Sequence, residues 1–332
     1  MGAGDDPVSA PGTDGAGRPG THGSAGRIQP VLRDDALVAD IDVAARSGSE
    51  ALQFWWLGQS GFLLQWRGHR LLLDPYLSDS LTRKYAGTDK PHVRMTERVI
   101  DPARLTGLSG VTASHAHTDH LDAETLVPLA CANPGLRLVF PEAIRPLAAA
   151  RSGLPETSLL GLDAPSPGRP SAPGVPGSAS LGAFHLEAVP AAHESIEADG
   201  QGRLTCLGFL VRVGGWTVYH SGDTVRFPGM EDRLRGARID LAFLPINGRS
   251  PERRVAGNLW GHEAAELARD SAIGRVVPCH YEGFEFNTAT PEAFEERCRS
   301  LTQPFLRLRA GERGSLVPDP GADGPGAGFR GP

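Results

Sequence analysis

Three imidazoles and one carboxylate stand within six residues at His115, His117, Asp119 and His120, in the order His-x-His-x-Asp-His. Neutral imidazole and carboxylate are preferred donors for zinc and neighbouring first-row metals. A fold has little structural use for such a density of them away from a tag-like terminus, so the segment predicts a metal site. It follows a β-prone run, Leu108 to Thr112, and leads into an apolar-periodic stretch with Leu121, Leu126 and Leu129. The spacing predicts a loop at the C-terminal end of a strand running into a helix, able to aim several side chains at one point.

Four more candidates end strand-like runs. Asp74 follows Leu71-Leu72-Leu73, His193 follows Ala188 to Ala192, Asp223 lies in Tyr219-His220-Ser221-Gly222-Asp223-Thr224, and His280 follows Val276 to Cys279. Sites in open α/β sheets gather beyond strand ends, so these side chains can converge. Taken singly, Asp223 also reads as a turn residue, and either Cys279 or His280 could be the donor. His220 reads as support rather than ligand. His185 lies mid-strand, His69 in a hairpin turn and His22 in the N-terminal arm.

The elements that must position these residues alternate between strand-like and helix-like periods. Asp34 to Ala45 has helical spacing. Leu52 to Trp56 reads as a strand, Gly58 to Gly61 as a turn, and Phe62 to Trp66 with Arg70 to Leu73 as a hairpin. Leu136 to Phe140 predicts a strand and Glu142 to Arg151 a helix. Phe184 to Val189, Cys206 to Val213 and Trp216 to His220 predict strands, the last two joined by Gly214-Gly215. Leu241 to Pro245 and Arg275 to Pro278 read as buried strands, His262 to Asp270 and Pro291 to Leu301 as helices. Hairpins followed by strand-loop-helix units, then the same again, predict a four-layer α/β fold: an αββα sandwich of two sheets with helices outside.

Composition sets the bounds. The 332 residues are 40% hydrophobic and 22% charged, as in a soluble globular protein. The net charge of -6 gives no basic excess to track a phosphate backbone, which predicts no nucleic-acid partner. Four cysteines with no C-x-x-C pair, no apolar N-terminal segment of signal type and no run of membrane-spanning length predict a cytoplasmic protein without a membrane span. Residues 1–28 are rich in Gly, Ala and Pro and predict a disordered arm, and 316–332 a similar tail. The domain between them is 29–315. Within it, 163–180 holds five prolines and three glycines and reads as an exposed loop insertion.

The ordered set Asp74, His115-x-His117-x-Asp119-His120, His193, Asp223 and His280 resembles the metallo-β-lactamase superfamily over about residues 50 to 310. The resemblance implies two divalent ions, zinc or manganese, with iron the further choice. His115, His117 and His193 would hold one, Asp119, His120 and His280 the other, and Asp223 would bridge them. It implies a hydrolase whose nucleophile is a metal-bridging hydroxide, with Asp119 or Asp223 orienting it or taking the proton. Asp74 and His220 would support the ligand loops from behind. The whole seven-residue donor set argues against a non-catalytic metal-binding scaffold. His117 stands where flavodiiron oxygen reductases place Glu, which favours hydrolysis over redox chemistry. Secreted β-lactamases carry an export signal and RNase Z a substrate arm, and neither is visible here.

Within the superfamily, Trp55-Trp56-Leu57-Gly58-Gln59-Ser60-Gly61-Phe62, Tyr219 to Asp223 and Val277-Pro278-Cys279-His280 resemble the L-ascorbate-6-phosphate lactonase-like branch, which implies sugar-lactone hydrolysis. The N-acyl-phosphatidylethanolamine phospholipase D-like branch, a phosphodiesterase, is the alternative; its last His sits in an H-W-G context, replaced here by His280-Tyr281-Glu282-Gly283. Specificity is expected in the loops. Ser78 to Arg98 carries Arg83, Lys84, Lys90, His92 and Arg94, suited to an anionic group on a small-molecule substrate. Asn247, Arg249, Trp260, His262 and Tyr281 are further candidates. A homo-oligomer is left open.

Overall fold

The computed structural model describes residues 26–318 and 327–328. Its elements in chain order are α1 (Asp34–Arg46), β1 (Leu52–Gly58), β2 (Gly61–Trp66), β3 (His69–Leu73), α2 (Ser80–Tyr85), β4 (Leu108–Thr112), α3 (Ala123–Ala132), β5 (Leu138–Pro141), α4 (Arg145–Ser152), β6 (Leu159–Leu162) and β7 (Ser178–Leu181). There follow β8 (Phe184–Pro190), β9 (Leu207–Val213), β10 (Trp216–His220), α5 (Met230–Ala237), β11 (Leu241–Pro245), α6 (Gly261–Asp270), β12 (Arg275–Cys279), α7 (Glu292–Leu301), β13 (Arg313–Pro318) and β14 (Ala327–Gly328).

Two sheets result, ordered β14-β13-β1-β2-β3-β4-β5-β6 and β12-β11-β10-β9-β8-β7. Each has an antiparallel part built from hairpins and a parallel part built from crossovers: β3 to β6 run parallel in the first, β10 to β12 in the second. Hairpin turns fix the register. Arg67 and Gly68 both take positive φ (48° and 79°), as do Gly214 and Gly215 (56° and 88°), the two-residue turn that matches strand twist.

The first sheet is apolar on both faces because both are covered. Phe54, Trp56, Phe62, Leu64, Leu71 and Leu73 pack toward Leu186, Phe209, Val211, Val218 and Phe243 of the second sheet. The alternate residues Trp55, Leu57, Leu63 and Leu72 pack outward with Leu37 and Ile41 of α1 and Leu126 and Leu129 of α3. On the far side, Ala264, Ala265, Leu267 and Ala268 of α6 join the core that contains β11 and β12. Helix, sheet, sheet and helix are the four layers expected.

Several boundaries and elements differ from expectation. Glu142–Ile144 is a 3₁₀ turn ahead of α4. The short polar helices α2 and α5, and strands β7 and β13, carry too few periodic apolar residues to be read from sequence, and β6, Leu-Leu-Gly-Leu, is too short to show a period. Residues 316–318 are not tail: Leu316 is fully buried and pairs with Leu52 in β1. The loop 163–180 is anchored at both ends. Asp163 is buried, and Ser178–Ser180 belong to β7, which pairs with β8. Residues 1–25 of the arm and 319–326 and 329–332 of the tail lie outside the described residues.

Candidate metal centre

Every candidate donor leaves the C-terminal end of a strand. Asp74 follows β3 and the His115–His120 loop follows β4, both in the first sheet. His193 follows β8, Asp223 β10 and His280 β12, all in the second. The site therefore straddles one shared edge of the sandwich. Non-glycine residues in the left-handed region cluster there: Gln59 (φ 47°), Asp74 (φ 39°) and His280 (φ 60°), with Glu194 (φ 75°) beside His193 and Glu282 (φ 54°) beyond His280. Such conformations persist where surrounding bonds hold them. The His280 N–H donates to the Gln59 carbonyl at 2.9 Å, and the Asp74 N–H to Thr112 Oγ1 at 3.2 Å.

The donors converge in three overlapping groups: His115, His117 and His193; His115, His120 and Asp223; Asp119, His120 and His280, each with ligand atoms within 4.8 Å of one another. His193 Nδ1 lies 3.0 Å from the Gly257 carbonyl and must donate to it, which leaves Nε2 as the free acceptor, 3.3 Å from His117 Nδ1 and 3.7 Å from Asp223 Oδ2. His120 Nε2 is 3.2 Å from Asp223 Oδ1 and 3.9 Å from Asp119 Oδ2. His280 Nε2 is 3.4 Å from both Asp119 Oδ2 and Asp223 Oδ2.

Those residues fit a metal. The Nε2 atoms of His115, His120 and His280 are buried without a hydrogen-bond partner. Burying a polar atom unpaired is costly, and three gathered around Asp223, two of them facing Asp119 as well, make a donor set in want of a cation. Electrostatics agree. Burial, then the neighbouring imidazoles, hold His115 well below the ordinary imidazole pKa, and burial with His193 lowers His117, so both are neutral and ligand-ready. Burial opposes charge on His120 and His280 as well, but Asp223 and Asp119 outweigh it. They raise His120 well above the usual range and His280 to about 9. Asp119 and Asp223 stay ionised against burial through those same imidazoles.

A set of buried groups braces the donors. Asp74, fully buried, accepts from Thr112 Oγ1 (2.7 Å) and the Ser114 N–H (3.1 Å), and its Oδ2 lies 2.8 Å from His120 Nδ1. That carboxylate fixes the His120 tautomer, so Nε2 faces the other donors. His220 Nε2 donates to the Ser60 carbonyl at 2.8 Å and its Nδ1 accepts from the Gly222 N–H, tying the Asp223 loop to the β1–β2 turn. The same turn supplies two contacts that sequence reasoning missed: Gln59 Nε2 to Asp119 Oδ2 at 3.1 Å and Ser60 Oγ to Asp223 Oδ1 at 3.5 Å. Cys279 is buried and belongs to the apolar core behind the site, outside the three donor groups.

The donors floor a cleft of about 580 Å³ lined by Lys84, Tyr85, His92, Arg151, Arg254, Phe284, Phe286 and Asn287 together with His117, Asp119, His193, Asp223 and His280. Tyr85 stacks on His92 at 4.2 Å, and His92 meets Phe286 edge-on at 4.4 Å, forming one wall. Of the residues expected to touch substrate, Lys84 and His92 line the cleft, and Arg83, Arg94, Asn247, His262 and Tyr281 do not. Arg83 is exposed and pairs with Glu124. Arg94 is buried, held by Asp79 and the Ser78 carbonyl, and lies over Tyr76 and Phe284 as packing. Asn247 is buried, bonded to Asn258 and Asn287. His262 is exposed in the first turn of α6. Tyr281 stacks on Trp56 at 4.5 Å and donates its hydroxyl to the Leu308 carbonyl. Arg249 pairs with Glu263. Arg151, Arg254, Phe286 and Asn287, which do line the cleft, come from segments without a sequence signal.

The family model of the β-lactamase superfamily domain matches residues 69–281. A UPF0173 metal-dependent hydrolase of Pyrobaculum aerophilum is 27% identical over 253 residues, covering 76% of this chain and 94% of its own. The corresponding protein of Opitutus terrae is 29% identical over 267 residues, covering 79% and 98%. Among solved structures, the metallo-β-lactamase fold protein of Bacillus subtilis superposes with a TM-score of 0.54 at 16% identity, covering 80% of this chain and all of that one. No helix of the described residues is long and apolar enough to cross a membrane.

Proposed function

The chain belongs to the β-lactamase superfamily and is a metal-dependent hydrolase of that fold, and on that premise we propose that it opens small lactone-type esters bearing an anionic group, in the cytoplasm. The observation that carries this reading is the set of buried, unpartnered imidazole nitrogens and ionised carboxylates at the floor of a small-molecule-sized cleft. His115, His117 and His193 would hold one divalent ion, Asp119, His120 and His280 a second, with Asp223 shared. An all-nitrogen-and-oxygen donor set without thiolate suits zinc or manganese, and iron next. Bound there, such ions supply Lewis acidity, bringing water toward neutral pKa and polarising a scissile carbonyl.

The chain's own residues do the rest. Asp119 is the more accessible carboxylate, its side chain 16% exposed against 4% for Asp223. It lines the cleft and is positioned to take the proton from an attacking water. Lys84, exposed on the rim with its ammonium 5.0 Å from the Tyr85 ring centroid, makes no ion pair among the described residues and is free to hold a phosphate or carboxylate. The wall of Tyr85, His92 and Phe286 limits the other side to a compact group. That enclosure favours a sugar-sized lactone over a phosphodiester with two long substituents.

The test is turnover of a sugar lactone phosphate, a generic phosphodiester and a thioester by the metal-loaded protein. Lactone opening at the highest kcat/KM, lost on adding chelator, is expected. Preferential cleavage of the phosphodiester would sink the lactone reading and leave the phospholipase D-like alternative.

A further inference from the structure

Gln59 sits in the β1–β2 turn, 4% exposed, and touches two of the three donors of one proposed metal position from outside the donor set. Its side-chain amide donates to Asp119 Oδ2 at 3.1 Å. Its carbonyl accepts from the His280 N–H at 2.9 Å and from Trp56 Nε1 at 2.9 Å. We propose that Gln59 is a positioning residue that sets the rotation of the Asp119 carboxylate relative to His280, and so tunes the affinity of the metal position those two residues share with His120. The inference rests on the ligand assignment above.

Three observations support it. The amide can face the carboxylate only with its NH₂, since the flipped orientation would oppose two oxygens. The amide oxygen, meanwhile, is buried without a partner. A fold that leaves that acceptor unsatisfied is retaining the side chain for its other end. Second, the place is kept clear: a Cβ on Gly283 would come within 1.7 Å of Gln59 Oε1. Third, Oδ2, the oxygen that Gln59 bonds, is also the Asp119 oxygen that faces His280 Nε2 and His120 Nε2, at 3.4 and 3.9 Å. One N–H on that oxygen therefore decides how the carboxylate is presented to the cleft.

Gln59→Asn is the informative variant. It keeps the amide, suits the left-handed backbone at this position and is one methylene too short to reach Asp119. Gly283→Ala is the second, displacing the intact Gln59 amide. Metal-stripped full-length protein is titrated with Zn²⁺ or Mn²⁺ alone, with bound ions counted after equilibrium dialysis. In each variant one of the two bound ions is expected to lose about 10–100-fold in affinity with the other unchanged; the metal-free melting temperature is expected to hold in Gln59→Asn and to fall only in Gly283→Ala, where the added Cβ overpacks a buried turn. The double variant is expected to lose no more than Gln59→Asn alone, because both changes remove the same bond. Wild-type affinity for both ions in Gln59→Asn overturns the inference, as does full additivity in the double variant. Wild-type protein that binds no second ion overturns the ligand assignment itself, and Gln59's role with it. The titration needs no substrate, so a mistaken lactone reading leaves it intact.

Discussion

The carboxylate of Asp74 lies 2.8 Å from Nδ1 of His120, and the opposite nitrogen of that ring is 3.2 Å from Asp223. An acid at the end of one strand thus orients a donor in the next loop, 46 residues away. Asp74→Asn preserves shape but puts an amide where an acceptor is needed, freeing the ring to turn. Metal affinity is expected to fall about 10–100-fold, measured by chelator competition. Unchanged affinity would reduce Asp74 to a packing residue.

Asp223 is the donor that touches both ends of the constellation: its oxygens lie 3.2 Å from His120 Nε2, 3.4 Å from His280 Nε2 and 3.7 Å from His193 Nε2. Asp223→Ala is expected to lower metal content at both positions and abolish turnover, whereas His193→Ala is expected to deplete one. Elemental analysis of proteins prepared in parallel separates the outcomes. Equal depletion by the two variants would refute a shared ligand.

The raised pKa values of His120 and His280 predict a pH dependence with a definite sign. A group with a raised folded pKa is protonated below it, so at pH 7 the metal-free protein holds a proton on each ring. Loading must expel them, about two per chain. Affinity therefore rises with pH from 7 toward about 9, the value for His280, and proton release shrinks above it. Calorimetric titration in buffers of different ionisation enthalpy reads the proton count; a count of zero at pH 7 contradicts the electrostatics. In the metal-free protein the same raised pKa contributes stability fully present below 6.5 and lost as pH rises through about 9.

The convergence of the candidate donors was legible because each follows an apolar run whose strand character is local. His115, His117, Asp119 and His120 even share one loop. The layers were legible for the same reason: Leu71–Leu73 and Leu241–Pro245 need no partner to read as buried strands. What was not legible is set by distance. Gln59 meets Asp119 across 60 residues, and no pattern in either segment signals it. Tyr281 adjoins a donor in sequence yet stacks on Trp56, because adjacent residues diverge where a strand ends in a left-handed turn at His280. Strand β13 begins Arg313-Gly314 and is recruited by pairing with β1 rather than by its own propensity.

Asp163 anchors the proline-rich loop. Its buried carboxylate accepts from Arg169 Nη2 at 2.9 Å and from the N–H groups of Ala172 (2.7 Å) and Leu204 (3.0 Å). Burial works to raise its pKa, but Arg169 and the two backbone donors outweigh it and hold it below the ordinary 3.8. Asp163→Ala strands these donors and should cost roughly 2–3 kcal/mol, read from urea unfolding. A depressed carboxylate stabilises above its unfolded pKa, so the gap between variant and wild type should narrow as pH falls below 3.8. A gap that persists in acid would assign the loss to packing instead.

Of the cleft cations Lys84, Arg151 and Arg254, Lys84 makes neither an ion pair nor a hydrogen bond among the described residues, whereas Arg254 pairs with Asp89 and Arg151 is held by the Ala116 carbonyl at 2.6 Å. If it holds the anionic end of the substrate, Lys84→Gln should raise KM with kcat nearly unchanged, because binding away from the reacting bond is lost equally from ground and transition states. An exposed charge contact is worth about 1 kcal/mol, roughly fivefold in KM. The effect should fade as salt is raised, since an exposed pair is screened, and it should be absent for the neutral analogue of the same lactone. A kcat loss of equal size on the neutral analogue would place Lys84 in the chemistry rather than in recognition.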